Sequence, residues 1–393
     1  MSTDLTKESL VGIIGSGAMG VGIAQIAAEN GHNVVLYDVD NEALVKARIK
    51  IEALMDKLIS KGKRTQEQAT KILSCIRYVD GLHYFKDTHF VIEAIVENLE
   101  VKTELFLHLE KVVGKDCVLA TNTSSLSIAA IGGKMQNPER LIGVHFFNPA
   151  PLMPLVEIIP SLRTNPEIVE EVTDLVKFWG KHTVLAKDTP GFIVNRVARP
   201  FYSEALRILE EGIADVTTID WAMKDLAGFR MGPFELMDLI GNDINYVVTE
   251  TVWQQMYYDP KYKPAITQKR LMESGLHGRK TGIGFYDYEQ PDLNPLPFHD
   301  RKLGQEIVDR ILYMLINEAA DTLFWKIASR DDIDTAMIKG LNHPKGPFQW
   351  ADEIGILRAL DGMRDLFEWY GDDRYRPSIL LKRKAEEAFP SFY

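Results

Sequence analysis

Short apolar runs alternate with helical patterns through the first half of the chain. Continuous runs of four to seven residues, rich in β-branched side chains, occur at Leu10–Gly15, Asn33–Asp38, Phe90–Ala94, Val118–Thr121 and Leu141–Phe147. Runs of this kind are typical of buried parallel strands. Helical periodicity lies between them, for instance at Met19–Asn30 and Leu99–Val113. The alternation predicts a doubly wound α/β domain over residues 1–187.

One interval of this domain is too long for a single crossover helix. It covers residues at about 41–74, and it carries lysines at Lys57, Lys61 and Lys63. We interpret it as a helical hairpin inserted after the second strand and projecting from the sheet.

Helical periodicity replaces the strand pattern beyond Pro190, and this part of the chain repeats itself. Shifting Ile193–Gly241 by 114 positions aligns it with Ile307–Gly355 without a gap, and 18 of the 49 positions are identical. A proline-rich stretch over 289–298 separates the two segments. The repeat predicts an all-α domain at 188–290, a linker at 291–299, and a second, shortened copy of the helical domain at 300–393.

Composition and charge limit the classes of partner, and the cellular location, that the sequence predicts. The 393 residues carry a formal charge of −11 without a long basic stripe, so non-specific nucleic-acid binding is not expected. No apolar stretch reaches the roughly 18 residues of a membrane span, so no membrane association is expected. Two cysteines cannot build a disulfide framework, and the first residues lack a signal or transit pattern. We therefore expect a cytoplasmic protein.

The sequence G-S-G-A-M-G at Gly15–Gly20 follows the first strand and begins a helix. Its first glycine permits a tight turn, its second lets the backbone approach a pyrophosphate, and its third allows close packing of helix on strand. Asp38 ends the next strand, where a carboxylate can accept ribose hydroxyls and would repel a 2′-phosphate. We therefore predict a dinucleotide site for NAD rather than NADP.

A second group of polar residues suits alcohol oxidation. His145 lies in an apolar strand run, Glu157 follows twelve residues later, Ser124 follows a strand, and Asn195 begins the first long helix of the second half. Histidine can accept a hydroxyl proton, a carboxylate can hold its tautomer, and Ser or Asn can stabilise oxygen charge. From the pattern alone, a lone histidine in an apolar run is more often a packed core residue, and Glu157 is open to the interpretation of a solvent-facing strand residue. No metal site is expected.

The first 290 residues resemble the L-3-hydroxyacyl-CoA dehydrogenase family, of the 3-hydroxybutyryl-CoA dehydrogenase type. The resemblance is carried by seven motifs in order: G-S-G-A-M-G, E-A-I-V-E-N (Glu93–Asn98), N-T-S-S-L (Asn122–Leu126), G-V-H-F-F-N-P (Gly143–Pro149), D-T-P-G-F-I-V-N-R (Asp188–Arg196), M-G-P-F-E-L-M-D (Met231–Asp238) and G-R-K-T-G-I-G-F-Y-D-Y (Gly278–Tyr288). It implies NAD-dependent, reversible oxidation of (S)-3-hydroxyacyl-CoA to 3-oxoacyl-CoA.

The resemblance also implies roles for individual residues. His145 becomes the general base, Glu157 its partner, and Ser124 and Asn195 the contacts to the substrate oxygen. For coenzyme A it favours Lys61 in the helical insertion, while Leu54 stands where some relatives have a serine contact. The implied cofactor-binding set is Gly15, Gly17, Ala18, Met19, Gly20, Asp38, Ala94, Glu97, Lys102, Asn122 and Asn148.

The second helical copy lacks a candidate site residue, since Asn195 aligns with Asp309. In relatives with one copy, the resemblance implies that the helical domain forms the dimer interface. The chain is therefore expected to be a homodimer, or a monomer whose two helical copies form an internal pseudo-dimer. Two other functions stay open from the residues: NAD-dependent oxidation of a free hydroxy acid, and a catalytically silent structural protein that binds NAD.

Overall fold

The computed structural model of the chain describes residues 5–393. It divides into two units, Met1–Thr189 and Pro190–Tyr393. Within the described residues, no helix is both long enough and apolar enough to cross a lipid bilayer.

The apolar runs of the first unit form one sheet. In the described residues its strands are β1 (Val11–Ile14), β2 (Val34–Tyr37), β3 (Ile76–Val79), β4 (Phe90–Glu93), β5 (Val118–Thr121), β6 (Leu141–Phe146), β7 (Leu155–Pro160) and β8 (His182–Leu185). Their spatial order is β3-β2-β1-β4-β5-β6-β7-β8. Neighbouring strands are parallel, with one exception, because β7 runs antiparallel to β6. The chain order reverses between β1 and β4, where ligands of such sheets bind beyond the strand ends.

The strands predicted from apolar runs have the observed positions to within a residue at each end. The strands β3 and β8 lie at the two edges of the sheet, and each includes exposed as well as buried side chains. An edge strand needs no continuous apolar run, and so these two were not predicted. The buried strand β7 was also not among the predicted strands, although its sequence L-V-E-I-I-P is mostly apolar.

Helices of the first unit begin at residues that suit a helix N-terminus. They are α1 (Ala18–Glu29), α2 (Asn41–Ser60), α3 (Gln66–Ser74), α4 (Leu99–Val112), α5 (Ile128–Gly132) and α6 (Pro166–Phe178). The Asp40 side chain caps α2, and the Asn98 side chain caps α4. Thr65 and Gln68 form a reciprocal capping box at the start of α3. The insertion over residues 41–74 is thus two helices, and α3 packs against α1.

The core of the first unit follows the alternation of side chains along each strand. Val11 and Ile13 of β1 and Ile92 of β4 belong to one buried cluster, which also includes apolar residues of α1, α2, α3 and α6. The alternate residues, such as Val91, are also buried but lie outside that cluster. Both faces of the sheet are therefore covered, as a mostly parallel sheet requires.

The second unit is helical. Its first series of helices is α7 (Val194–Val197), α8 (Arg199–Glu210), α9 (Val216–Trp221), α10 (Pro233–Ile240), α11 (Asn242–Gln255) and α12 (Ile266–Glu273). Its second series is α13 (Arg301–Phe324), α14 (Arg330–Leu341), α15 (Pro347–Ile354), α16 (Ile356–Tyr370) and α17 (Ile379–Ala385). The bounds of α10 and α15 differ by the same 114 positions that relate the two sequence segments.

The same buried interaction also occurs once in each series. Asp220 accepts hydrogen bonds from the backbone N–H groups of Phe234 and Glu235 at the start of α10. Its counterpart, Asp334, accepts the corresponding bonds at the start of α15. A carboxylate satisfies the open N–H groups of a helix terminus, so each aspartate ties two helices of its series together.

Candidate functional site

The glycine-rich turn joins β1 to α1. Gly15 has φ +100°, and a Cβ there would lie 2.4 Å from the carbonyl oxygen of Ala94. A Cβ on Gly20 would lie only 1.8 Å from the carbonyl oxygen of Gly15, whereas a Cβ on Gly17 would meet nothing within 4 Å. The first and third glycines are therefore required by the protein's own packing. The second leaves open space beside the backbone, which fits the approach of a pyrophosphate.

The start of α1 offers hydrogen-bond donors to an anion. No side chain caps this helix, and Ala18 at its first position is exposed. Unbonded N–H groups and the helix dipole together favour a negative group at such a terminus. NAD carries its pyrophosphate as such a group, so these residues fit the cofactor.

Asp38 lies beside the same turn. One of its carboxylate oxygens accepts hydrogen bonds from the backbone N–H of Ser16 at 2.6 Å and from the Ser16 hydroxyl at 2.8 Å. Burial opposes ionisation of Asp38, but hydrogen bonds from the backbone N–H groups of Asp40 and Ser16 outweigh it and lower its pKa. The carboxylate is thus held ionised at the end of β2, in the position predicted for the ribose contact.

A buried ion pair lies at the ends of β4 and β5. The Lys102 ammonium donates to Glu93 at 2.5 Å, and both side chains are almost wholly buried. Glu93 also accepts from the Thr121 hydroxyl at 2.6 Å and from the backbone N–H of Ile95 at 2.7 Å. A buried charge needs such a partner and further hydrogen bonds. Lys102, predicted to contact the cofactor, is therefore also a structural cation.

Glu97 holds the turn that follows β5. Its Oε1 accepts from the Thr123 hydroxyl at 2.6 Å and from the backbone N–H groups of Ser124 and Ser125 at 2.9 and 3.2 Å. Its Oε2 lies 3.3 Å from the Lys102 ammonium. Burial opposes ionisation of Glu97, but the charge of Lys102 and the hydrogen bond from Thr123 outweigh it and lower its pKa. Glu97 thereby orders the turn that carries Ser124.

His145 and Glu157 face each other across two strands. They are directly paired residues in the antiparallel register of β6 and β7. Their side chains lie on the same face, with 2.7 Å between His145 Nδ1 and a carboxylate oxygen of Glu157. Both residues are buried. This geometry excludes the interpretation of Glu157 as a solvent-facing strand residue.

The turn that carries Ser124 follows β5, and His145 lies near the C-terminal end of the neighbouring strand β6. Thr121 of β5 pairs with Gly143 of β6, which places the next residues of both strands side by side. The side chain of Asn122 accepts a hydrogen bond from the backbone N–H of Phe146 at 2.8 Å and so links turn and strand. Asn122 therefore has a structural partner in addition to its predicted cofactor role.

Four further predicted residues lie on separate elements and differ in exposure. Asn148 is exposed in the loop after β6, and Lys61 is exposed at the C-terminal end of α2. Asn195 is half-buried on α7 of the second unit. Met19, in the first turn of α1, is also half-buried.

Two residues of the site, Glu93 and Thr123, were not predicted from the sequence. Glu93 ends the apolar run F-V-I-E, and an acidic residue at the end of such a run could have identified it as a candidate site residue. Thr123 stands between two candidate residues in N-T-S-S, but no spacing rule separates it from its neighbours. In the structure its hydroxyl forms a shorter hydrogen bond to Glu97, at 2.6 Å, than the hydroxyls of Ser124 and Ser125 do, at 3.3 and 3.1 Å.

The chain matches two protein-family models. Residues 10–189 match the family model for the 3-hydroxyacyl-CoA dehydrogenase NAD binding domain. The model for the 3-hydroxyacyl-CoA dehydrogenase C-terminal domain matches residues 191–288 and again residues 307–390.

Individual relatives agree with these models. The 3-hydroxyadipyl-CoA dehydrogenase of Escherichia coli is 37% identical, over 95% of this chain and 97% of its own. A crystal structure of 3-hydroxybutyryl-CoA dehydrogenase from Escherichia coli K12 has a TM-score of 0.91 and covers 97% of this chain and 98% of its own, at 37% identity. The (S)-3-hydroxybutyryl-CoA dehydrogenase of Ralstonia eutropha, 38% identical with a TM-score of 0.69, matches 72% of this chain and 99% of its own.

We predict that two alanine substitutions in the glycine turn impair different properties, one the stability of the fold and the other the binding of NAD. Gly20→Ala should lower the free energy of unfolding by about 1–3 kcal/mol, because its Cβ would overlap the Gly15 carbonyl. Gly17→Ala should leave stability within about 0.5 kcal/mol of the parent. It should nevertheless weaken NAD binding at least tenfold, because its methyl group would enter the space left for the pyrophosphate. Urea unfolding and calorimetric titration with NAD measure both effects. Unchanged NAD affinity in Gly17→Ala would contradict the assignment.

Proposed function

The chain belongs to the 3-hydroxyacyl-CoA dehydrogenase family, and from this premise we propose that it oxidises (S)-3-hydroxyacyl-CoA reversibly to 3-oxoacyl-CoA with His145 as general base. Family membership confirms the predicted NAD-binding sheet followed by a helical domain, the cofactor NAD and the dehydrogenase activity. The names of the relatives support an acyl-CoA substrate rather than a free hydroxy acid, and an active dehydrogenase rather than a catalytically silent protein.

The single observation that carries the proposed mechanism is the pair of His145 and Glu157. With its Nδ1–H donating to the carboxylate, His145 presents Nε2 in the unprotonated form that a base requires. When the imidazole takes the hydroxyl proton, Glu157 stabilises the resulting positive charge. NAD, which the glycine turn and Asp38 would hold, would supply the hydride acceptor for the carbon that bears this hydroxyl.

Ser124 and Asn195 complete the proposed site. The hydroxyl of Ser124 and the amide of Asn195 can donate hydrogen bonds to the substrate oxygen as its negative charge develops. Glu97 supports the first of these, since it holds the backbone of the Ser124 turn. The remaining cofactor contacts follow the predicted set, with the glycine turn at the pyrophosphate and Asp38 at the ribose.

Lys61 is the proposed contact to coenzyme A. It is exposed at the end of α2, near Lys63 and Lys57 in the sequence. An ammonium group in this position can meet the anionic nucleotide end of coenzyme A, and its exposure keeps it accessible to that ligand.

The two halves of the second unit are joined by reciprocal ion pairs. Arg196 of the first half donates to Glu318 of the second at 2.8 Å. Arg310 of the second half donates to Glu204 of the first at 3.1 Å. Arg310 lies 114 positions after Arg196, and Glu318 lies 114 positions after Glu204. Each half thus presents the same two residues to the other.

Two tyrosines form reciprocal hydrogen bonds to the same two glutamates. Tyr262 of the first half donates its hydroxyl to Glu318, and Tyr375 of the second half donates its hydroxyl to Glu204 at 2.9 Å. Contacts in which residue i meets j and j meets i define an isologous interface, as in a two-fold symmetric dimer. We therefore propose that residues 300–393 are a second copy of the helical domain and that the chain contains an internal pseudo-dimer.

We predict that His145→Gln lowers turnover about 10²–10⁴-fold, because glutamine cannot accept the hydroxyl proton. NAD affinity should stay within twofold, since His145 lies outside the glycine turn. The assay follows NADH absorbance with acetoacetyl-CoA as substrate. Parental turnover in the variant would remove His145 from the mechanism, and an inactive parent protein would overturn the proposed activity itself.

Deleting Asp300–Tyr393 should expose the apolar and ionic surface that the second half covers. We expect the truncated protein to dimerise through that surface or to aggregate, as measured by size-exclusion chromatography with light scattering. The full chain is the control. A truncated protein that remains a monodisperse monomer would contradict the pseudo-dimer.

A further inference from the structure

Asn195, the proposed contact to the substrate oxygen on α7, lies in a segment that is otherwise buried. Among residues 191–200 every other residue is buried, and Asn195 alone is half-buried. A close-packed interior transmits a shift of one residue to the residues beside it. The position of the Asn195 amide therefore depends on what its buried neighbours contact.

The chain that precedes α7 packs directly on the peptide that follows Asn195. The backbone N–H of Arg196 donates to the carbonyl of Gly191 at 3.1 Å. A Cβ on Gly191 would lie 2.9 Å from that nitrogen and 3.2 Å from the carbonyl carbon of Asn195. The peptide between Asn195 and Arg196 is thus held closely from this side, and a displacement of Arg196 would be passed on to Asn195.

The side chain of Arg196 is held by the second half of the unit. Its Nε donates to Glu318 of α13 at 2.8 Å, and both residues are buried. The helix α7 itself packs against α13 and α14. Burial opposes the positive charge of Arg196, but the nearby Tyr262 and Glu318 outweigh it and raise its pKa. The guanidinium therefore stays charged in the interior, where it needs a carboxylate to compensate it.

Glu318 is itself fixed by groups of the first half. Its carboxylate accepts a hydrogen bond from the Tyr262 hydroxyl and lies 3.8 Å from the Lys261 ammonium. Lys261 pairs with Asp321 as well. Removal of the charge of Glu318 would thus leave Lys261 with another carboxylate, and the main loss would fall on Arg196.

The corresponding arginine of the second half has two carboxylate partners. Arg310 pairs with Glu204 at 3.1 Å and with Glu211 at 2.6 Å. Arg196 forms one ion pair among residues 5–393. The residue 114 positions after Glu211 is Trp325, which has no carboxylate to offer. The arginine beside the proposed site therefore depends on a single glutamate.

The neighbour of Arg310 has a structural use of its own. This neighbour is Asp309, which occupies the position of Asn195 in the second half. Its carboxylate accepts hydrogen bonds from Arg358 at 2.7 Å and from Gln305 at 2.8 Å. The two reciprocal contacts thus share their chemistry, but only one of them adjoins a proposed site residue. The other provides an internal control.

We propose that Glu318 is a positioning residue for Asn195, acting through Arg196. The inference rests on the proposed function. The Glu318 carboxylate holds the Arg196 side chain against α13, which fixes the peptide after Asn195 and thereby the direction of its amide. The second half of the unit, which lacks a counterpart of Asn195, then contributes to turnover by holding a helix of the first half.

Glu318→Gln tests this role, because glutamine keeps the shape of the side chain but removes its charge. The buried guanidinium of Arg196 would be left uncompensated and would move toward water, carrying α7 with it. We expect kcat to fall about 10- to 100-fold, since a misplacement of about 1 Å at a substrate contact is enough for such a loss. KM for acetoacetyl-CoA should stay within about threefold and NAD affinity within about twofold, because Asn195 acts on charge that develops during the reaction. NADH absorbance and calorimetric titration measure these values.

Glu204→Gln is the matched control, and a double variant with Glu211→Gln makes the match stricter. The single change leaves Arg310 with Glu211, whereas the double change removes both of its carboxylates, as Glu318→Gln does for Arg196. In both controls kcat should stay within about twofold of the parent, however much stability is lost. All variants are assayed at a temperature at which circular dichroism shows them to be fully folded.

A double variant with Asn195→Ala separates positioning from a general structural effect. If Glu318 acts through the Asn195 amide, its substitution has nothing left to misplace once that amide is absent. Adding Glu318→Gln to Asn195→Ala should therefore lower kcat by less than about twofold, although the same change costs the parent about 10- to 100-fold.

Two results would overturn the inference while leaving the proposed function intact. The first is a loss of kcat in the double variant of Glu204 and Glu211 equal to that in Glu318→Gln, which would make the network only structural. The second is a loss in the Asn195→Ala background as large as in the parent, which would mean that Glu318 acts elsewhere. A parent protein without activity would overturn the proposed function, and this inference with it.

Glu318→Asp keeps the test available if Glu318→Gln does not fold. Aspartate retains the buried negative charge but withdraws the carboxylate from Arg196 by one methylene group. We expect a smaller loss of kcat than in Glu318→Gln, again only where Asn195 is present. Glu204→Asp is its control and should have the parental kcat. Parental kcat in Glu318→Asp and Glu318→Gln alike would contradict the positioning role.

Discussion

The antiparallel pairing of β7 with β6 is the constraint on which the proposed site depends. In an otherwise parallel sheet it brings Glu157 directly opposite His145, with their side chains on one face. Paired residues of adjacent strands lie close enough for side chains to bond, and here a carboxylate oxygen lies 2.7 Å from the ring nitrogen. Because both residues lie in regular strands, backbone hydrogen bonds of the sheet hold the pair in place.

The net charge of the chain and the local charges at its proposed ligand sites have opposite signs. The chain carries a formal charge of −11, yet its proposed ligands are anions. In the proposed function, attraction for these anions comes from local groups: the start of α1 and the exposed Lys61 at the end of α2. Several buried charges are paired, as in Lys102 with Glu93 and in the reciprocal arginine–glutamate contacts. A buried pair is costly to break, because removal of one partner leaves the other charge uncompensated.

Much of the fold could be read from local pattern, because local pattern reflects burial. The central strands are buried on both faces and so appear as continuous apolar runs, whereas the edge strands β3 and β8 do not. Each glycine of the turn could be predicted, because each one has a different steric reason to lack a side chain. The partner of His145 could not be derived in this way. Its identification came from resemblance, because the direction of β7 is not visible in the sequence.

The sequence by itself determined the family, the cofactor class, the internal repeat and the identity of the candidate residues, since these depend on motifs and spacing. Tertiary structure decided which of these residues touch. It showed that Glu97 orders the Ser124 turn, that Lys102 neutralises Glu93, and that Arg196 and Arg310 each pair with a glutamate of the other half. Such contacts join residues far apart along the chain. They depend on strand register and helix packing, which act over distances that no local pattern records.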